Sequence, residues 1–235
     1  MDKKLINKIP KRVEAAVSEN KARLYLHGTV GIAYDGFGFE TVKNALIGVK
    51  ADTIEVHLNS YGGDMFEGIA IKNYLSQRSE NIRVVIDGIA ASAASVIAMA
   101  GDEILMPKDT QLMIHNPWTW AAGNSKELRK VADDLDKAAV SIEESYLKRF
   151  VGEREELKVL LDEESYLTAD EAVALGLADA VFDKDETEEP ADEPINKTAA
   201  LLAKYSRTKA AASVADATES KSSNDGLIKF AKLFK

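Results

Sequence analysis

Three short segments carry residue types that can do chemistry together. Gly62 and Gly63 follow a β-rich run, Ser92 ends the run GIAAS, and His115 ends the run MIH. A histidine at neutral pH can take the proton of a serine hydroxyl, and backbone N–H groups can hold the oxyanion that forms when the hydroxyl attacks a carbonyl. Together the segments predict acyl-transfer chemistry.

Each segment also has an ordinary interpretation. Paired glycines form tight turns, Ser92 is equally suited to cap an alanine-rich helix, and a single histidine such as His115 can stand in a surface loop. The other two histidines, His27 and His57, lie inside predicted strands, so we expect structural roles for them. A catalytic site at these residues therefore requires that the fold brings the three segments together.

Hydrophobic patterning predicts alternating strands and helices over most of the chain. The predicted strands are 23–27, 53–58, 82–86, 103–106 and 111–114, and the predicted helices are 39–49, 65–77, 90–100 and 125–150. Gly88 is expected to break the third strand, and Thr168 with Glu171 forms a candidate capping box. Repeated βα units predict an α/β fold with a largely parallel sheet and right-handed crossovers. Because ligands collect at the carboxyl ends of such strands, all three segments fall at favourable positions.

The order and spacing of these motifs resemble those of the ClpP-type serine proteases, the proteolytic subunit family of the Clp system. That family shows an N-S-P-G-G turn, then G-x-A-A-S, then M-I-H-x-P, and finally an acid ahead of [FLY]-L-[ST]-A-x-E-A…G-L-x-D. This chain has matching runs at 59–63, 88–92, 113–117 and 164–179, with Tyr61 in place of the proline. The resemblance covers about residues 20–182 and implies a ClpP/crotonase-like fold of stacked βαβ units with a protruding long helix at 125–150.

Carried over to these positions, the family's catalytic serine and histidine fall on Ser92 and His115. The family's acid falls on Glu164, where long-chain members usually have aspartate, and Asp162 and Glu163 are neighbours that could replace it. The resemblance thus implies a serine endopeptidase that works through an acyl-enzyme.

The same resemblance implies that the backbone N–H groups of Gly63 and Ala93 form the oxyanion hole. No cofactor or metal site is expected. The chain has no P-loop motif, so any use of ATP is expected to come from a partner ATPase.

Composition excludes several classes of function. The 235 residues have a net charge of −9 and contain no cysteine, which rules out disulfides, thiolate metal sites and a cysteine nucleophile. The acidic balance argues against nucleic-acid binding. We find neither an apolar run long enough for a membrane span nor the apolar segment of a secretory signal, so we predict a cytoplasmic protein.

The charge pattern divides the chain into four parts. We predict an N-terminal arm at 1–19, a protease domain at 20–182, a linker at 183–226 that is first acidic and then rich in Ala, Ser and Lys, and a basic amphipathic segment at 227–235. The linker and this last segment form a flexible tail in this interpretation. The basic segment is suited to a partner groove or a membrane surface, or it is simply a frayed terminus.

The family implies a homo-oligomeric ring, stacked face to face, with protein substrates and an AAA+ unfoldase as a candidate partner. The tail and the third motif are more similar to the phage and prophage branch, which implies head maturation beside a capsid or scaffold protein, in the host cytoplasm or the procapsid. A housekeeping Clp subunit and a catalytically degenerate scaffold are the alternatives. Enoyl-CoA hydratase-type enzymes and Ser–Lys signal-peptide peptidases are related rivals.

Overall fold

The computed structural model describes residues 9–182, apart from 19, 33 and 34, together with Leu202. The predicted linker and basic segment lie outside the described residues, except for Leu202. The strands are β1 (Arg12–Ser18), β2 (Lys21–His27), β3 (Thr53–Ser60), β4 (Asn81–Ala91), β5 (Glu103–Pro107), β6 (Gln111–Ile114), β7 (Ser165–Thr168) and β8 (Ala180–Phe182). The helices are α1 (Phe39–Ala45), α2 (Met65–Ser76), α3 (Ala93–Ala98), α4 (Ser125–Leu147), α5 (Arg154–Asp162) and α6 (Ala169–Ala174).

The strands form one sheet in the order β1-β2-β3-β4-β5-β8, and β6 pairs with both β4 and β7. All pairings are parallel except β1 with β2 and β6 with β7. This confirms the predicted α/β fold with a largely parallel sheet. Residues 12–18, which the sequence assigns to an N-terminal arm, form the edge strand β1, so the sheet begins before residue 20.

The core lies between the central strands and the helices. Leu24, Val56 and Val84 are neighbours across β2, β3 and β4, and all three are fully buried. Helix α2 adds Ile71 and Leu75, while α3 is buried along its whole length. The alternation of buried and exposed residues along β2 explains why this strand was recognisable in the sequence.

Strand β4 differs from the prediction in a way that shapes the site. It does not end at Gly88 but continues to Ala91, and α3 begins at Ala93 rather than at residue 90. The first part of β4 pairs with β5 and the last part pairs with β6, while its register with β3 shifts next to Gly88. The glycine therefore marks a change of strand partner and not the end of the strand.

Helix α4 protrudes from the domain, as the resemblance implied. Asn124 and Glu127 form a capping box at its start, and its first two-thirds are largely exposed. Only its last turns enter the core, through Ile142 and Tyr146. Within the described part of the chain, we find no helix that combines the length and the apolar character required to span a bilayer.

Four short elements were not predicted from the sequence, namely α5 and the strands β1, β7 and β8. Strands β7 and β8 have four and three residues, which is too few to show a period. Helix α5 does have apolar residues at helical spacing, Leu157, Leu160 and Leu161, and the prediction overlooked them. The capping box of Thr168 and Glu171 is confirmed at the start of α6. Together α5 and β7 bring the acids at 162–164 next to the end of β6.

Candidate active site

Ser92 occupies a tight turn between β4 and α3. Its φ of 55° and ψ of −124° place it in a backbone conformation that residues other than glycine rarely adopt. The same strained strand-to-helix turn presents the nucleophile in α/β-hydrolases. Ser92 is the N-cap residue of α3, but its side chain makes no capping hydrogen bond. The interpretation of Ser92 as an ordinary helix cap therefore fails.

Gly62 lies directly against this turn, and the next residue, Gly63, packs against Val30. A Cβ atom on Gly62 would lie 2.7 Å from the Cβ atom of Ser92, and one on Gly63 would lie 2.0 Å from the carbonyl oxygen of Val30. Both glycines also have positive φ, of 91° and 148°. Only residues without a side chain fit here, so the glycine pair allows the backbone to approach the serine closely.

His115 follows the last residue of β6 and faces Ser92. Its Nε2 atom lies 2.7 Å from the Oγ atom of Ser92, within hydrogen-bond distance. The imidazole is buried, with 6% exposure, and burial lowers its pKa below the usual value, an effect that the charge of Glu164 partly offsets. His115 is therefore neutral at pH 7, which leaves Nε2 able to accept the serine proton.

Among the three neighbouring acids, Glu164 stands out by its position. Ile114 on β6 pairs with Ser165 on β7, so the next residues outward are His115 and Glu164. Asp162 instead accepts a hydrogen bond of 2.8 Å from the side chain of Asn116. Glu164 is the one acid of the three whose charge raises the pKa of His115.

The hydrogen bond between His115 and Glu164 is nonetheless not formed in this structure. Among the described residues, the Nδ1 atom of His115 has no hydrogen-bond partner, and Glu164 is exposed with a positive φ of 48°. The structure thus brings Ser92 and His115 together and leaves Glu164 as a nearby charge.

Two backbone N–H groups are available next to the serine. Ala93 is the first residue of α3, so its N–H has no acceptor within the helix. Val30 donates its N–H to the carbonyl oxygen of Gly62 and accepts from the N–H of Asp64, at 2.9 Å each. In a parallel bridge of this kind, the N–H of the intervening Gly63 points away from Val30.

A further polar pair lies beneath the turn and was missed by the sequence analysis. The Oγ atom of Ser95 lies 2.6 Å from the carbonyl oxygen of Ser92, 2.8 Å from that of Met113 and 2.8 Å from the hydroxyl of Tyr146. Ser95 stands among alanines in the sequence and Tyr146 is 51 positions away in α4. No local pattern could have linked them.

The other two histidines lie elsewhere, on β2 and β3. His27 and His57 both bind the carboxylate of Asp87, at 2.8 and 2.7 Å, and His57 also contacts Glu55. The hydrogen bond to Asp87 raises the pKa of His57 despite its burial. These contacts agree with the structural role expected for both residues.

Comparisons with known proteins agree with the fold and the motifs. The family model for Clp protease matches residues 45–185. The chain is also 29% identical over 133 residues to the ATP-dependent Clp protease proteolytic subunit 1 of Prochlorococcus marinus subsp. pastoris, an alignment that covers 56% of this chain and 68% of the relative. The matched region contains the glycine pair, the serine turn, the histidine and the acids. The chain therefore belongs to the Clp protease family of ClpP-type serine proteases.

Proposed function

We propose that this protein is a serine endopeptidase in which Ser92 is the nucleophile and His115 the general base. The observation that carries the proposal is the 2.7 Å contact between Nε2 and Oγ, made at a strained turn by an imidazole that burial keeps neutral. A serine hydroxyl is a weak nucleophile until an adjacent base takes its proton. A Ser–Lys enzyme, one of the rival interpretations, would have a lysine amine next to the serine. In this protein His115 lies there instead.

The proposed reaction has two halves. The proton of Ser92 moves to Nε2 of His115 while Oγ bonds to the peptide carbonyl carbon, and the carbonyl electron pair becomes an oxyanion. Collapse of this intermediate breaks the C–N bond, and the leaving amine takes the proton from His115. Water then repeats the sequence on the acyl-enzyme, releases the acid product and restores Ser92.

In this proposal the N–H groups of Gly63 and Ala93 hold the oxyanion. Ala93 follows Ser92 in the chain, and Gly63 follows Gly62, whose Cβ position would lie 2.7 Å from the Cβ atom of Ser92. The Ala93 N–H has no acceptor within α3, and the Gly63 N–H is not used in the bridge to Val30. Glu164 is proposed as the third catalytic member, which stabilises the protonated imidazole through its charge and orients it once the Nδ1 contact closes. Loss of one oxyanion donor typically costs about 3 kcal/mol of barrier.

Labelling with a fluorophosphonate tests the core of the proposal. The probe should label the intact protein at one residue, Ser92, and label neither Ser92→Ala nor, at a useful rate, His115→Gln. Ser145→Ala is a matched control, because Ser145 is a buried serine whose hydroxyl binds the carbonyl of Ser141. Peptide turnover that persists in folded Ser92→Ala contradicts the assignment.

We further propose that the chain works as a homo-oligomeric ring, stacked face to face, with its sites inside. The relative described above is named as a subunit of an ATP-dependent protease, and the long protruding α4 offers an exposed helix for contact between rings. An AAA+ unfoldase is the proposed source of any ATP dependence. Sedimentation of the full chain, with and without residues 125–141 replaced by a short linker, tests this assembly.

For the biological role we propose head maturation of a phage or prophage, with a capsid or scaffold protein as substrate. The basis is the E-S-Y-L-T-A run at the third motif and the tail beyond residue 182. The alternative is a housekeeping subunit that works with an unfoldase, and the name of the relative favours it. Incubation with a co-expressed capsid protein, without any ATPase, separates the two: specific cleavage supports maturation, and cleavage that requires an ATPase supports the alternative.

A catalytically degenerate scaffold remains as a second alternative. The approach of Nε2 to Oγ argues against it, since a scaffold has no need for a strained serine turn. Absence of fluorophosphonate labelling in the assembled protein would favour the scaffold. A deletion of residues 219–235 tests the tail independently, and we expect it to weaken co-assembly with the capsid protein while peptidase activity is unchanged.

A further inference from the structure

The hydroxyl of Ser95 is the centre of a hydrogen-bonded cluster inside the core. It is fully buried and contacts the carbonyl oxygens of Ser92 and Met113 and the hydroxyl of Tyr146. Tyr146 is 1% exposed and reaches this point from the last turn of α4. The cluster therefore joins the protruding helix to the turn that carries Ser92.

The direction of the hydrogen bonds follows from counting protons. Two carbonyl oxygens can only accept, so the proton of Ser95 goes to one of them, and the proton of Tyr146 goes to the Oγ atom of Ser95. Burial raises the pKa of Tyr146, so its hydroxyl stays protonated and keeps donating. This gives a chain of donation from Tyr146 through Ser95 to the backbone, and each bond polarises the next.

The carbonyl of Ser92 belongs to the same planar peptide as the N–H of Ala93. The two groups point in opposite directions, so a contact that fixes the carbonyl also fixes the N–H. The N–H of Ser92 is itself held by the carbonyl oxygen of Met113 at 2.9 Å. The carbonyl oxygen of Ser92 also accepts from the N–H of Val96 at 3.2 Å, so Ser95 supplies the shorter of its two hydrogen bonds. Both ends of the strained residue are thereby held, and with them the direction of the Ala93 N–H.

We propose that Ser95 and Tyr146 are positioning residues that orient the Ala93 N–H as an oxyanion donor. The inference rests on the proposed function, because it assigns a task within that same site. Apart from Ser95, helix α3 consists of alanine, valine and isoleucine. Alanine at position 95 would suit both the helix and the core, so the polar pair needs an explanation beyond packing. Its contact with one strained peptide supplies that explanation.

The test compares Tyr146→Phe and Ser95→Ala with the intact protein in peptide hydrolysis. We expect kcat to fall by a factor of about 10 to 100 with KM unchanged. The reason is that a misoriented Ala93 N–H loses a hydrogen bond to the oxyanion, and that bond forms only in the transition state. Affinity for a peptide boronate, which places an oxygen in the oxyanion site, should fall by the same factor as kcat/KM. A purely structural role would not link these two losses.

A matched control removes a similar bond elsewhere. Thr110 is a buried residue just before β6, and its hydroxyl donates to the carbonyl of Pro107 at 2.7 Å, so this bond involves neither Ser92 nor Ala93. Thr110→Val should lower thermal stability by a similar amount and leave kcat and boronate affinity unchanged. An equal kcat loss in Thr110→Val would overturn the proposal, because general loosening would then explain the effect.

The double variant separates stability from positioning. Ser95→Ala leaves the Tyr146 hydroxyl buried without its acceptor, and adding Tyr146→Phe removes that unpaired group, so the double variant should regain stability. Its kcat should stay low. Recovery of kcat together with stability would overturn the inference, as would an unchanged kcat in Tyr146→Phe when Ser92→Ala is inactive. Full turnover in Ser92→Ala would instead overturn the proposed function itself.

Discussion

Two regions of this protein place histidine near carboxylate, and only one of them has the features of a catalytic site. At the end of β6, His115 contacts a serine hydroxyl through Nε2, burial lowers its pKa, and within residues 9–182 as described its Nδ1 atom has no hydrogen-bond partner. On β3, the half-buried His57 uses Nδ1 for Asp87 and Nε2 for Glu55. Closeness of histidine and acid is therefore not enough, because a base needs one ring nitrogen that faces the hydroxyl and not a carboxylate.

The pKa values of the two histidines move in opposite directions for a physical reason. Burial dominates at His115 and lowers its pKa, whereas hydrogen bonding to Asp87 dominates at His57 and raises its pKa. A raised pKa favours a charged, structural histidine. A lowered pKa favours the neutral form that accepts a proton from serine.

Replacing each histidine should give the largest contrast. We expect His115→Gln to lower kcat by about 10⁴-fold or more, because Ser92 then has no base. His57→Gln should leave kcat within about twofold, since its contacts lie outside the site. Steady-state hydrolysis of a fluorogenic peptide measures both, and a large loss in His57→Gln would remove the distinction between the regions.

Replacing the acids tests which carboxylate serves His115. Glu164→Gln should lower kcat by about a hundredfold, within the range of general acid–base assistance. Asp162→Asn should have a smaller effect, because Asp162 is bound to Asn116. The same peptide assay decides, and equal or reversed losses would reassign the third catalytic member to Asp162.

The pH dependence of turnover should reflect the lowered pKa of His115. Because only the neutral imidazole accepts a proton, kcat/KM should rise with pH and reach half its maximum below pH 6.5, the usual histidine value. A midpoint above pH 6.5 would contradict the effect of burial. The profile of His57→Gln should overlay that of the intact protein.

The smallest expected effect concerns stability. The folded-state pKa of His57 is raised, so its contribution to the free energy of unfolding is complete below pH 6.5 and is lost as pH rises through the folded pKa. His57→Gln should therefore destabilise the protein by about 1 kcal/mol at pH 6 and by less at pH 9. Urea unfolding at both pH values measures the difference, and a larger loss at pH 9 would contradict it.

The sequence was enough to predict the fold and the candidate residues, since Gly63, Ser92 and His115 lie in recognisable motifs at strand ends. The end of β4 was predicted wrongly, because Gly88 is typical of a strand end but here lies at a shift in the register with β3. The distance between Ser92 and His115 depends on the pairing of β4 with β6, which no local pattern encodes. The contact between Ser95 and Tyr146 could not be predicted for the same reason, since no local pattern links two residues 51 positions apart.

The pairing of β4 with β6 has one more consequence. Ala91 lies opposite Met113, so Ser92 is one residue beyond this pair and His115 is two residues beyond it. A slip of two residues, the smallest that keeps each strand's faces, would displace His115 by about 6.6 Å along the ladder. Under the proposed assignment, Ser92 lacks its base in any chain whose β4 and β6 have not reached this alignment. We therefore expect a chain with that register error to be inactive as a peptidase, even when the rest of the sheet has formed.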